Sequence, residues 1–250
     1  MAAGTQDDGA TAGAAVDRLV EVVGLLRQHC SWTAALDHAA LLRYLVEETY
    51  ELYEAIDDVS RSEYPVTAQV QDLRDELGDL LFQVVLHAQL QAERGTFGLA
   101  DVARGLTDKL VRRNPHVFAP DGALQAATGD GPPQSTGEEI VAAWRAVKER
   151  EKPARTSAFD GIPHHLPALS FAVKTLDRAG NAPGRTEGPG EQGTNDPEVL
   201  IGTELLALTR RATAAGIDPE RALRHAVLAY QQQVLAVEEP ADRADTSGVN

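Results

Sequence analysis

A single cysteine, Cys30, in a chain of 250 residues removes any intramolecular disulfide and any Cys-based zinc finger, so the expected compartment is the reducing cytoplasm. Basic residues are scarce as well, 23 Lys and Arg against 38 Asp and Glu, for a formal charge of −15. Phosphate backbones demand clustered cations, so no nucleic-acid polymer is expected as a partner. No apolar run approaches the roughly 18 residues of a membrane span, and the first fifteen residues lack the basic and apolar regions of an export signal. Sustained strand alternation is missing. So are a Gly-rich phosphate loop ending in Lys-Ser/Thr and the Glu-x-x-His pairs of oxygen-activating bundles.

What is present is helical periodicity, on a length that suits one large domain or two small ones. Residues 1–15 are small and polar and read as a flexible tail. Apolar residues then recur every three or four positions at Leu19, Val22, Val23 and Leu26, and again at Leu41, Leu42, Leu45, Leu52 and Ile56. A longer helix is predicted from about Thr67 to Glu93, turning Leu73, Leu77, Leu80, Leu81, Val84 and Val85 inward, with Gly95 as its stop. The next begins at Asp101 as N-cap and ends near Arg113, because Asn114 precedes Pro115. Residues 119–137 are rich in Gly, Pro and Ala and read as a loose insertion before a helix with Trp144; residues 182–197 form a second such linker. Helices at about 198–214 and 218–237 follow, then a tail over 239–250. The expected fold is all-α, an antiparallel helix bundle.

The chemistry concentrates in two short stretches. Glu48 and Glu51 lie three apart on one helix, and Glu76 and Asp79 lie three apart on another, so each pair shares a face. If the two helices are antiparallel neighbours, four carboxylates converge and repel unless a cation sits between them. Hard oxygen ligands without Cys or clustered His suit Mg²⁺, or Mn²⁺, rather than zinc. Acidic pairs also decorate solvated faces, but such faces carry basic partners three or four residues away, and none of these four carboxylates has one. Only Glu47 does, in Arg43.

Lys109, Arg112 and Arg113 form a compact basic face near a helix end, fit for an anionic ligand or for the helix dipole. Gly78 is costly inside a helix and is read as permitting close approach of a neighbouring helix or of a metal-bound ligand. Trp144 fits a base-stacking or a core role. His116, His164 and His165 lie beside prolines without metal-clamp spacing.

Taken together, Glu47-Glu-Thr-Tyr-Glu51 with Glu76-Leu-Gly-Asp79 resembles the EExxE…ExxD signature of MazG-type nucleoside triphosphate pyrophosphohydrolases. The likeness extends to Cys30-Ser-Trp32 with His38, to Gly78 through Gln89, to Lys109 through Phe118 and to Trp144 through Lys152, covering most of residues 16–180. It departs at Ser31, Thr33 and Leu36, where the family more often has Pro, Asp and Gln. The resemblance implies that Glu48, Glu51, Glu76 and Asp79 hold Mg²⁺, that Glu47 positions the attacking water, and that Lys109, Arg112 and Arg113 contact phosphates while Trp144 lines the nucleotide pocket. It further implies a homodimer that cleaves nucleoside triphosphates, ribo- or deoxyribo-, to the monophosphate and pyrophosphate, in nucleotide-pool housekeeping.

Full-length bacterial relatives carry two such modules, so a catalytic module at 16–181 and a degenerate second one at 198–238 are expected. Aligned on its glycine, the second places Leu200 opposite Glu76 and Thr203 opposite Asp79, and further on it offers Ala229, Gln232 and Gln233 in place of the basic triad. The alternatives to an enzyme are a non-catalytic nucleotide-sensing or partner-binding bundle and a purely structural module. Intact carboxylates beside a basic triad favour catalysis.

Overall fold

The computed structural model describes residues 11–125, 136, 139, 140, 144, 147, 157–180 and 195–245, with side chains described up to residue 236. Eight helices are defined among them and no strand, as the periodicity predicts; an isolated antiparallel bridge joins Phe118 to Leu124. No helix among the described residues is long and apolar enough to cross a membrane. The chain divides into two compact units, residues 1–149 and 150–250.

The first unit holds α1 (Ala12–His29), α2 (Ser31–Ala35), α3 (His38–Arg61), α4 (Thr67–Glu93) and α5 (Leu99–Arg113). Helix α1 begins inside the stretch expected to be a tail, because Thr11 Oγ1 accepts from the Ala14 amide at 3.3 Å and satisfies one orphan donor of an alanine-rich first turn. Asp37 caps α3 in the same way, through the Ala40 amide at 2.8 Å. Helix α4 ends where Gly95 takes φ +69° and the Gly95 and Thr96 amides donate back to Ala92 and Gln91. Helix α5 starts earlier than predicted. Gly98 is its N-cap, and Asp101 is the third helical residue, whose carboxylate reaches back to the Gly98 amide at 2.9 Å.

Helices α3 and α4 form the most extensive pair, and α1 also packs on α4. Between them lies a core of Val23, Leu41, Val85, Leu86 and Leu90, bordered by Leu19, Val20, Leu36, Tyr44, Phe82 and Leu99. Each fully buried leucine or valine contributes about 1.5–3 kcal/mol. Not every predicted core position joins it. Leu77, Leu81 and Val84 on α4 are exposed, as are Leu42 and Ile56 on α3. Both helices carry apolar residues on more than one side, and the core among the described residues covers part of them.

The second unit contains α6 (Ala168–Gly180), α7 (Pro197–Ala214) and α8 (Pro219–Asp245), which pack on one another. Grouped with the first module on sequence, α6 packs here with α7 and α8. Asp196 caps α7 through the Glu198 amide, with Pro197 at the first position, and Asp218 bonds the Glu220 and Arg221 amides at the start of α8. Most of the two predicted loose segments, residues 126–135 and 181–194, lies outside the described residues.

Candidate functional site

Helix α3 carries the first acidic pair and α4 the second, and their packing brings Glu48, Glu76 and Asp79 together. One oxygen from each lies within 4.8 Å of the others, the single such cluster of acidic, His or Cys groups among the described residues. Glu48 and Glu76 are half-buried and Asp79 is exposed at the mouth. Glu51 stands outside this trio, exposed, yet near enough to hydrogen-bond with Glu48 and to repel Glu76.

Repulsion is written into the cluster. Burial and then Asp79, Glu51 and Glu76 push the Glu48 carboxyl above its usual range. Burial and then Glu51, Asp79, Asp72 and Asp75 do the same to Glu76. The neighbours acting on both carboxyls are acidic. Asp72 and Asp75 went unremarked on sequence, although Asp72, four residues before Glu76 on the same helix, is a like-charge spacing that could have been read. One Glu76 oxygen, Oε2, is buried and has no hydrogen-bond partner among the described residues.

These features fit a hard divalent cation. Three carboxylates converge, an acceptor oxygen lies buried without a donor, and no ion pair involves Glu48, Glu76 or Asp79 among the described residues.

The remaining predicted residues are not members of that trio. Glu47 is exposed beside Glu48 and outside the cluster, and its sequence partner Arg43 turns instead over the Tyr44 ring, 4.4 Å from its centroid, with a bond to the Tyr44 hydroxyl. Lys109, Arg112 and Arg113 occupy the end of α5, with Lys109 and Arg113 half-buried and Arg112 exposed. Arg113 lies over the Trp144 ring, 5.4 Å from its centroid. A basic group and an aromatic group thus lie together.

Of the two readings of Gly78, close approach of a neighbouring helix and room for a metal-bound ligand, the structure bears on the first. A Cβ there meets nothing within 4 Å, so no helix among the described residues makes the close approach. In the second unit Leu200 and Thr203 lie exposed on α7, with Thr203 bonded to its own helix at the Val199 carbonyl, and offer no carboxylate.

Comparison with known proteins places the chain among its relatives. Residues 36–118 match the MazG nucleotide pyrophosphohydrolase domain. The chain is 32% identical over 246 residues to a Thermotoga maritima protein named nucleoside triphosphate pyrophosphohydrolase/pyrophosphatase MazG, covering 91% of this chain and 87% of that one. It is 40% identical over 228 residues to an uncharacterized 26.1 kDa protein of Streptomyces cacaoi, 90% of this chain and 84% of that protein. The Escherichia coli nucleoside triphosphate pyrophosphohydrolase is 39% identical over 171 residues, 66% of this chain but 57% of its own length.

Proposed function

The chain belongs to the MazG nucleotide pyrophosphohydrolase family, and on that footing we propose that it hydrolyses nucleoside triphosphates to the monophosphate and pyrophosphate, with Mg²⁺ as cofactor and Mn²⁺ as a substitute. The observation that carries the reading is the convergence of Glu48, Glu76 and Asp79 around a point that no cation among the described residues neutralises. Glu48, Glu76 and Asp79, with Glu51 at the rim, would hold the ion. When bound, that ion neutralises phosphate charge and makes a coordinated water a better nucleophile.

The chain's own groups do the rest. Lys109, Arg112 and Arg113 hold phosphate oxygens, and Trp144, already stacked against Arg113, offers an aromatic face to the base. Glu47, exposed beside Glu48, orients the attacking water and takes its proton. The second unit packs without catalysing, because Leu200 and Thr203 stand where the ligands would be. Exposed Leu42, Val46, Leu77, Leu81 and Val84 on α3 and α4 support a homodimer built on that face. Clearing of nucleoside triphosphates from the cytoplasmic pool is the role we assign.

The test is pyrophosphate release from mixed nucleoside triphosphates with Mg²⁺, with Glu48→Ala and Asp79→Ala beside the wild type. Loss of at least about 100-fold in both variants is expected, since each removes a charge that the reacting centre requires. Undiminished release in both refutes the site; absence of release from the wild type favours the non-catalytic nucleotide-sensing bundle, provided nucleotide still binds.

A further inference from the structure

Two half-buried imidazoles meet further along the α3–α4 seam. His38 opens α3 and His87 lies on α4, their rings parallel to within 3° and their Nδ1 atoms 2.7 Å apart. A neutral imidazole has one N–H and one bare nitrogen, so the surrounding bonds dictate where each hydrogen sits. The Gln91 amide nitrogen donates to His38 Nε2 at 2.6 Å, which leaves that nitrogen bare and puts the hydrogen on Nδ1. His38 Nδ1–H therefore donates to His87 Nδ1, and His87 keeps its own hydrogen on Nε2, which is buried and meets no acceptor among the described residues. Thr96 Oγ1 completes the chain by donating to Gln91 Oε1 at 2.8 Å.

Every facing nitrogen is now assigned, and an extra proton has no place in the chain. On His87 Nδ1 it sets two N–H groups head to head; on His38 Nε2 it does so against the Gln91 amide. Charged groups of the packed helices are committed elsewhere: Arg27 of α1 to Glu93 of α4, Asp37 to the first turn of α3, and Asp101 of α5 to Arg104. Thr33 of α2 is uncharged and bonds the Leu26 carbonyl. Burial and then His38 hold the His87 imidazole below its usual range.

We propose that His38 and His87 are positioning residues for the carboxylate site, a one-hydrogen pair that pins the register in which α3 presents Glu48 to Glu76 and Asp79. The alignment is shared: Glu48 lies ten residues beyond His38, about 15 Å along α3, while Asp79 and Glu76 lie eight and eleven residues before His87 on the antiparallel α4. Leu41, Val85 and Leu86 between the two contacts gain from burial in any nearby register, whereas a 2.7 Å bond between two nitrogens tolerates one. The positioning role rests on the carboxylate site proposed above; the register itself does not.

The full-length wild type, His87→Leu and His38→Asn decide the matter, by Mn²⁺ binding at pH 7.5 and by hydrogen-exchange protection factors in residues 38–45 at pH 7.5 and 5.5, each referred to the intrinsic rate at its own pH. His87→Leu is expected to keep its helical circular dichroism, to bind Mn²⁺ at least fivefold more weakly and to exchange faster at the start of α3. Asn at position 38 turns either N–H or C=O toward His87. It is expected to bind Mn²⁺ within twofold of wild type and to lose the fall in protection factor that acidification is expected to cause in the wild type. Unchanged exchange in His87→Leu, or an acid response that persists in His38→Asn, overturns the proposal. Failure of the wild type to bind Mn²⁺ overturns the metal reading and with it the positioning role, while the exchange arm still decides the register.

Discussion

Arg27 of α1 closes on Glu93 of α4 through two bonds, 2.9 and 2.7 Å long, and the same guanidinium holds the carbonyls of Thr33 and Leu36. One nearly buried side chain thus fastens α1, the α2 turn and the end of α4. Arg27→Leu is expected to lower stability by roughly 2–3 kcal/mol, since the carbonyls and Glu93 lose a charged donor together, and denaturant unfolding measures it. Glu93 is held below its usual range, first by its bond to Arg27. A depressed carboxyl contributes stability that is complete above its unfolded value, about 4.3, and that fades as pH falls through the lower folded value. The wild-type curve should therefore drop more steeply below about pH 4 than that of Arg27→Leu; parallel curves would remove the pair from the account.

Relief of repulsion gives the second expectation. Glu48 and Glu76 have raised carboxyl values, so the metal-free fold binds protons more readily than the unfolded chain and gains stability as pH falls toward the usual glutamate range. At neutral pH Glu76→Gln should raise the melting temperature of the metal-free protein, by about 2–4 °C for each kcal/mol relieved, and weaken Mn²⁺ binding. A variant that melts lower without metal would show that Glu76 serves the fold rather than a ligand.

Gly78 has open space where a Cβ would go, so Gly78→Ala should add about 1 kcal/mol of helix stability. Thermal melting with pyrophosphate release separates two outcomes. Gain with activity kept makes the glycine dispensable; gain with activity lost means substrate or a second copy occupies the space.

Leu81, 40% exposed on α4, belongs to the apolar face left uncovered among the described residues. Leu81→Asp should convert a dimer to monomers in light scattering, because a charge on a desolvated contact costs several kcal/mol. A wild type already monomeric at micromolar concentration would remove that interface.

Much of this was legible in the chain because it is local. The span of α4 follows from its apolar period and from Gly95, the end of α5 from Asn114 before Pro115, and the acidic pairs from their own spacing. What stayed hidden depends on partners far apart in sequence. Arg27 and Glu93, like His38 and His87, read as isolated polar residues until α1, α3 and α4 are packed. The excess of inward positions predicted for α4 has a related cause, since periodicity reports an apolar side without saying which molecule covers it. Asp101 fits both the cap and the third position, and only the Gly98 amide decides.

The α3–α4 seam carries opposite appetites for hydrogen ions along its length. Acid relieves the crowded carboxylates and opposes the neutral state of His87, so the two ends of the seam answer a change of pH with opposite sign, and a titration of the whole molecule reports only their difference. Flatness in such a curve would be tension between neighbouring helical turns, not indifference to pH.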